Sequence, residues 1–192
     1  MNRARLKKSL LGMAVILALL WLNGVIYGFS FTPGQAMKRT EKDFLFGPSE
    51  IVSVESLPGE KIFLGKFEDY ISCYRIQRQA WIYWQDRGHY WGENIPEVPV
   101  CFYSCWHKQG EEAMEVILFG MVNDSEIVKI ELEASENLTL EKTSFYDGLF
   151  LFHYQNESPP VDSYSQCFKT LKAYDEKGTL VYETDMDSES LL

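Results

Sequence analysis

Four cysteines and three histidines are the side chains of this sequence that could serve as nucleophiles or bases. They are Cys73, Cys101, Cys105, Cys167, His89, His107 and His153. A hydrolase needs a nucleophile with a base nearby, but the sequence has no G-x-S-x-G, S-x-x-K or H-E-x-x-H motif and no glycine-rich phosphate loop. We therefore predict no catalytic residue and expect each histidine to have a surface or packing role.

The same residue types could ligate a metal, but their spacing argues against it. Cys101, Cys105 and His107 would share one face of a strand, yet a CxxC pair and a fourth zinc ligand are missing. Three aspartates lie at predicted turns, namely Asp124, Asp147 and Asp175. A calcium loop would need a D-x-D-x-D-G pattern, whereas a turn aspartate binds nearby backbone N–H groups without any metal. We predict no metal and no cofactor.

The cysteines allow three disulfide pairings, and the sequence does not choose among them. On an extended strand Cys101 and Cys105 would lie about 13 Å apart, which excludes a bond between these two. Buried free thiols or one disulfide are the two interpretations that we retain.

Aromatic residues are concentrated between residues 80 and 91, in the stretch AWIYWQDRGHYW. The triplet Asp86-Arg87-Gly88 predicts a hairpin turn with aromatic side chains on both arms. The candidate binding residues are Trp81, Trp84, Tyr90 and Trp91. Their rings could stack on sugars, grip a peptide or rest on the outer bilayer interface. Alternatively, one face of the hairpin fills the core and the other covers a sheet edge.

The longest apolar stretch, LLGMAVILALLWLNGVIYGFSF, runs from Leu10 to Phe31. It is long enough for the roughly 20 residues that a helix needs to cross a bilayer. Four cations precede it, namely Arg3, Arg5, Lys7 and Lys8. Because the positive flank stays inside, we predict a cytoplasmic tail over 1–9, a transmembrane anchor over 10–31 and an extracytoplasmic remainder. A cleaved signal is the alternative, but Gly28-Phe29-Ser30 is a poor cleavage motif.

Composition makes the predicted exported part strongly acidic. Four of the 18 basic residues precede the apolar run, so 14 remain against 28 acidic ones and the formal charge is near −14. Such a surface repels nucleic acid and anionic lipid and favours solubility or cationic partners.

Beyond the apolar run the patterns predict one short helix followed by strands. Thr32 and Pro33 form a helix start, and the predicted amphipathic helix over 32–47 ends at Gly47-Pro48. Eight to eleven short strands over 48–185 and an acidic frayed tail over 186–192 follow. With no crossover helices, the fold class is mainly β, an antiparallel sandwich or a partly open barrel.

The C-terminal half resembles uncharacterised, single-pass, membrane-anchored exported proteins of Gram-positive, spore-forming bacteria. The resemblance covers roughly residues 115–184 and is carried by turns and core positions. The matching stretches are FGMVND (119–124), IVKI (127–130), DGLFLF (147–152), LKAYD (171–175) and VYE (181–183), with FTPGQA (31–36) near the start. The resemblance implies a small β-rich extracytoplasmic domain and supplies no catalytic residues.

These observations predict a non-enzymatic binding or interaction module at the cell envelope, anchored in the membrane and contacting an envelope protein or polysaccharide but no nucleic acid. An envelope-polymer hydrolase or transferase is the alternative, and it requires a histidine in hydrogen-bond reach of Cys101 or Cys105. A structural assembly subunit would instead show an open sheet edge or a large apolar face.

Overall fold

The computed structural model describes residues 3–26, 29–79, 81–109, 113–134, 138–156 and 167–186. These contain two helices, α1 (Arg3–Ile26) and α2 (Pro33–Phe44). The strands are β1 (Glu50–Leu57), β2 (Glu60–Phe67), β3 (Tyr70–Gln79), β4 (Tyr83–Glu93), β5 (Val100–Gln109), β6 (Ala113–Val122), β7 (Lys129–Ala134), β8 (Thr139–Lys142), β9 (Leu149–Asn156), β10 (Phe168–Tyr174) and β11 (Leu180–Asp185). The prediction of a mainly β, antiparallel fold is confirmed.

The strands of the described residues form three sheets, with the orders β1-β2-β3-β4, β11-β10-β7-β8 and β5-β6-β9. None of the three closes on itself as a barrel. The chain divides into two compact units. The first unit comprises Met1–Ser49, Val54–Phe63 and Tyr74–His89, and the second comprises Glu50–Ser53, Leu64–Cys73 and Tyr90–Leu192.

The core of the second unit lies between two of the sheets. Alternate residues of β5, β6 and β9 and of β7 and β10 are buried in a single apolar cluster, which includes Val116, Leu118, Phe150, Phe152, Ile130, Leu132, Phe168 and Leu171. Because each strand points every second side chain to the same face, one face of each sheet supplies this core. The arrangement is consistent with the sandwich alternative.

Position 120 in the central strand β6 requires glycine, because atoms of the neighbouring strands β5 and β9 lie close to its Cα atom. It pairs with Phe102 on one side and Phe150 on the other. A Cβ atom here would lie 2.2 Å from the Cys101 carbonyl oxygen and 2.7 Å from the Phe150 ring. Only glycine therefore fits between these neighbours.

Helix α2 in the first unit begins and ends through local chemistry. The Thr32 hydroxyl accepts a hydrogen bond from the Gln35 backbone at 3.2 Å, and Pro33 occupies the first turn. Leu45 adopts a left-handed conformation with φ 54°, and the Phe46 N–H donates to the Glu41 carbonyl at 3.0 Å. The predicted start is confirmed, whereas the helix ends at Phe44, before Gly47-Pro48.

The predicted hairpin around Asp86-Arg87-Gly88 is wrong, because all three residues lie inside the continuous strand β4. An ion pair across the sheet holds this polar segment extended. Arg87 Nη1 lies 2.6 Å from Glu60 Oε2, and the buried Arg75 donates to the other oxygen of the same carboxylate at 2.6 Å. The chain reverses instead just before β4, next to Trp81.

The apolar run and the helix that contains it have different limits. Helix α1 begins at Arg3 and ends at Ile26, whereas Ser30 pairs with Trp84 in an antiparallel bridge and Phe31 precedes α2. No helix in the described part of the chain combines the length and apolar character of a membrane span. At the other terminus Met186, which the sequence assigns to the tail, is buried, and residues 187–192 lie outside the described residues.

Candidate functional site

The four aromatic candidates belong to different units. Trp81 and Trp84 lie in the first unit, and Tyr90 and Trp91 lie in the second. Trp81 has 88% of its surface exposed and Trp91 has 42%, whereas Trp84 and Tyr90 are half-buried. The first unit contains the more exposed tryptophan, and its surroundings define the candidate site.

Trp81 lies in the connection between β3 and β4 with its ring directed into solvent. Its backbone is left-handed, with φ 71°, and its carbonyl accepts a hydrogen bond from Arg78 Nε at 3.1 Å. The same guanidinium lies 5.8 Å from the centroid of the Trp84 ring, a cation–π distance. Ile82 is also exposed, so the turn presents two adjacent apolar side chains. We call Trp81 and Ile82 the aromatic turn.

Tyr83, the residue after the aromatic turn, is buried and connects β4 to α1. Its hydroxyl donates to the carbonyl oxygen of Leu20 at 2.9 Å. Its ring lies 5.4 Å from that of Phe29 and 5.5 Å from that of Phe31, centroid to centroid. These contacts hold the aromatic turn beside the C-terminal part of α1.

Backbone contacts reinforce the same junction. Ser30 and Trp84 exchange two backbone hydrogen bonds of 2.9 and 2.7 Å. The N–H of Phe29 donates to the Gly24 carbonyl at 3.0 Å, which ends the helix. Gly24 is buried, and a Cβ there would meet the Tyr83 ring at 3.8 Å. Sequence reasoning did not include Tyr83 among the candidate residues, because no pattern in the sequence pairs its hydroxyl with the backbone carbonyl of Leu20.

Helix α1 exposes apolar side chains on all sides. Every residue from Lys7 to Leu19 is exposed. The large apolar ones are Leu10, Leu11, Met13, Val15, Ile16, Leu17 and Leu19, followed by Trp21, Leu22 and Ile26. A helix that is apolar all round is typical of a core or of a membrane, rather than of a water-facing surface. No covering element of the described chain buries this stretch.

His153, the histidine on the strand pair next to Cys105, bonds a carboxylate. Cys105 and His153 flank Ile117 on opposite sides in the β5-β6-β9 sheet, which places their Cα atoms about 10 Å apart. His153 Nε2 lies 2.7 Å from Glu115 Oε1, and this carboxylate is buried. The other histidines, His89 and His107, bond Asp86 and the Trp106 carbonyl.

All four cysteines are buried thiols that form no disulfide, which agrees with the first of the two interpretations from the sequence. Cys101 donates to the Glu93 carbonyl at 3.5 Å, and the Tyr103 hydroxyl donates to the same oxygen at 2.6 Å. Burial, together with Cys101 and Glu93 nearby, raises the pKa of Tyr103 to about 12. The Tyr103 ring also covers Gly92, where an added Cβ would overlap it.

Two of the three turn aspartates, Asp124 and Asp175, accept hydrogen bonds within their own turns, and Asp147 pairs with a distant lysine. Asp124 Oδ1 accepts from the Glu126 N–H at 2.9 Å, and Asp147 Oδ2 lies 2.6 Å from Lys66 Nζ. Asp175 Oδ1 accepts from the backbone of Thr179 and of Lys177, which lowers the pKa of its carboxyl. Within the described ranges, no three His, Cys, Asp or Glu side chains are grouped so that they could hold a metal ion.

No family model, curated protein or solved structure matches the chain. The resemblance to exported proteins of Gram-positive bacteria therefore stays a prediction.

Proposed function

We propose that this chain is a membrane-anchored, extracytoplasmic β protein that acts as a non-enzymatic binding module at the cell envelope. The observation that carries the proposal is the uncovered apolar surface of α1, which is joined to the β domain through Tyr83.

Moving the exposed apolar surface of α1 from water into lipid lowers its free energy. Burying one Leu, Ile, Val or Met side chain lowers the free energy by roughly 1.5–3 kcal/mol relative to leaving that side chain in water. Helix α1 has ten large apolar side chains that are exposed, and Leu11 and Ile26 leave 68% and 70% of their surface uncovered. A bilayer removes this surface from water while the helix satisfies its own backbone groups.

Charge sets the proposed orientation. The cations Arg3, Arg5, Lys7 and Lys8 all precede the apolar residues, so the N-terminus remains in the cytoplasm. The acidic remainder then lies outside, where its negative charge favours a cationic region of a partner protein over anionic lipid.

The non-enzymatic part of the proposal rests on the partners of the titratable groups. His153 and His89 bond carboxylates, and the thiols of Cys73, Cys101, Cys105 and Cys167 are buried. Reactive thiols generally lie in accessible, electropositive surroundings, so these cysteines serve packing.

Alkaline carbonate extraction of membranes from cells that produce the full chain tests the anchor. We expect the wild-type chain to stay in the membrane pellet with its intact mass, including residues 1–31. A Leu17→Arg variant places a charge at the middle of α1 and should shift the chain toward the extract. A Leu45→Arg variant is the control, because Leu45 is exposed outside α1. Release of the wild-type chain, or a mass lacking the N-terminus, would contradict retention of the anchor.

Crosslinking followed by mass spectrometry tests the binding part. We expect an envelope component to be captured by the membrane-embedded chain and to be lost at high salt, because an acidic surface attracts through screened charges. Capture that is unaffected by salt, or turnover of an envelope polymer by the purified chain, would contradict the proposal.

A further inference from the structure

Strand β5 forms an open edge of the second unit. In the sheet order β5-β6-β9, its hydrogen-bonded neighbour among the described residues is β6, on one side. The β5–β6 register runs without a shift from Val100 opposite Val122 to Gln109 opposite Ala113. Edge strands usually avoid pairing with other chains through proline, a bulge or several charges. Strand β5, with the sequence VCFYSCWHKQ, has no proline and one charged residue, Lys108.

The hydrogen bonds of β6 show which backbone groups of β5 face this open edge. The Val122 N–H donates to the Gly148 carbonyl at 2.9 Å, on the β9 side of β6. Because an antiparallel ladder alternates, even-numbered residues of β6 bond β9 and odd-numbered residues bond β5. Odd residues of β6 lie opposite odd residues of β5. The even-numbered residues of β5 therefore direct their N–H and C=O groups away from β6.

The groups that face the open edge belong to Phe102, Ser104 and Trp106. In agreement with this, His107 Nδ1 lies 2.8 Å from the Trp106 carbonyl oxygen. A carbonyl oxygen has two lone pairs, so this oxygen can still accept a hydrogen bond from another strand. The edge thus presents alternating donors and acceptors at the spacing that a further antiparallel strand requires.

The remaining sheet edges have features that oppose pairing between copies. Strands β1, β4 and β11 each contain two acidic residues. In a chain with a formal charge of −10, pairing two copies of such a strand brings carboxylates together. Strand β8 has only four residues, and β9 has β8 beside it. Strand β5 contains no acidic residue, so two copies of this acidic chain meet there with the least repulsion.

We propose that β5 pairs antiparallel with β5 of a second copy of this chain, which joins the β5-β6-β9 sheets of the two copies into one continuous sheet. Ser104 lies opposite Ser104 of the second copy, and Phe102 lies opposite Trp106 of the second copy. Two-fold symmetry makes the second contact occur twice. The inference goes beyond the proposed function and does not depend on the anchor.

This register suits the side chains and the charge of β5. Trp106 leaves 43% of its surface exposed and shares a face with Phe102, which packs against the core. Opposite Phe102 of the second copy, the indole gains an aromatic cross-strand neighbour and loses contact with water. The Cα atoms of the two Lys108 residues would lie about 26 Å apart, at about 3.3 Å per residue. This separation exceeds the Debye length of about 8–10 Å, so the two cations do not oppose pairing.

Sedimentation equilibrium of the full chain in density-matched detergent micelles tests the inference. Trp106→Lys places a charge opposite Phe102 of the second copy. Ser104→Pro removes an N–H that faces the open edge and leaves the β5–β6 hydrogen bonds in place. Trp91→Lys is the matched control, because Trp91 is 42% exposed and belongs to the same unit. Circular dichroism checks that each variant is folded, and two edge variants keep the test decisive if one of them is not.

We expect a concentration-dependent equilibrium between monomer and dimer for the wild type and for Trp91→Lys. Each edge variant should raise the dimer dissociation constant about tenfold or more. A wild-type chain that stays monomeric would overturn the inference. A dimer that neither edge variant weakens, such as one formed through α1, would overturn it as well, and so would equal weakening by Trp91→Lys.

A disulfide cross-link tests the register. The Cα atoms of two Ser104 residues in a hydrogen-bonded pair would lie about 5.5 Å apart, within the range of about 4.4–6.8 Å that a disulfide spans. Mild oxidation of Ser104→Cys should therefore give a covalent dimer. Ser125→Cys is the control, since Ser125 is exposed in a turn of the same unit, and the buried native thiols of the wild type give the background. Equal cross-linking of the two variants, or none at position 104, would overturn the proposed register.

Discussion

The hydroxyl of Tyr83 donates a hydrogen bond to the backbone carbonyl oxygen of Leu20 at 2.9 Å, although 63 positions separate the two residues. This bond joins the first residue of β4 to the interior of α1. Because Phe29 and Phe31 pack against the same ring, the junction is apolar with one polar contact at its end. The link between the proposed anchor and the β domain thus combines this side-chain hydrogen bond with the backbone bridge between Ser30 and Trp84.

Replacing that hydroxyl should weaken the junction without disturbing its packing. Tyr83→Phe keeps the ring and removes the hydrogen bond, and we expect the free energy of unfolding to fall by about 1 kcal/mol. The measurement is urea unfolding of the full chain in detergent micelles. Tyr146→Phe is the control, because Tyr146 is exposed, and its change should stay within about 0.5 kcal/mol. Equal effects of the two substitutions would contradict the role of Tyr83.

Gly120→Ala should destabilise the second unit severely. The new methyl group would lie 2.2 Å from the Cys101 carbonyl oxygen and 2.9 Å from the Phe102 Cα, and backbone atoms cannot move aside as a side-chain tip can. We expect a loss of about 3 kcal/mol or more in the free energy of unfolding. Gly34→Ala in α2 meets nothing within 4 Å and should stabilise by up to about 1 kcal/mol. A neutral Gly120→Ala would show that the β5–β6 register is wrong.

The Asn123 side chain fixes the segment between β4 and β5 through hydrogen bonds, and Asn123→Asp should make that segment more mobile. The Asn123 amide nitrogen donates to the carbonyls of Ile95 and Val98 at 2.9 Å each, and the side chain exchanges hydrogen bonds with Asn94. A carboxylate would lose the donor and face two carbonyl oxygens, at a cost of about 1–3 kcal/mol. Hydrogen exchange should speed up at the Val98 amide before it does in β6. Unchanged exchange at Val98 would contradict this account.

Tyr103 should lose its proton at a higher pH than the exposed tyrosines of the chain. Burial and the neighbouring Cys101 and Glu93 raise its pKa to about 12 from an ordinary 10.0. A raised pKa means that the folded state favours the protonated hydroxyl, so the associated stability is complete below pH 10 and is lost as the pH rises through 12. The ultraviolet difference titration of wild type minus Tyr103→Phe should have its midpoint near pH 12. A midpoint near 10 would contradict the environment described for this residue.

Local patterns in the sequence predicted where helices and strands form, but they did not predict the contacts between residues that are distant in sequence. The Thr32-Pro33 start of α2 and the alternation in β7 depend on neighbours in sequence, and both are confirmed. The Asp86-Arg87-Gly88 turn was wrong because Arg87 is held extended by Glu60, 27 residues away. Tyr83 was missed for the same reason, because its partner is distant in sequence. The acceptor is the backbone carbonyl oxygen of Leu20, and no pattern of side chains reveals a backbone acceptor.

Proteolysis of sealed, right-side-out membrane vesicles from cells that produce the full chain tests the central claim most directly. If α1 spans the membrane with the acidic β domain outside, added protease should remove the β domain and leave a short protected fragment that begins at the N-terminus. Opening the vesicles should then expose the cytoplasmic tail as well. A full-length chain that resists protease until the vesicles are opened, or one that is absent from the membranes, would contradict the account.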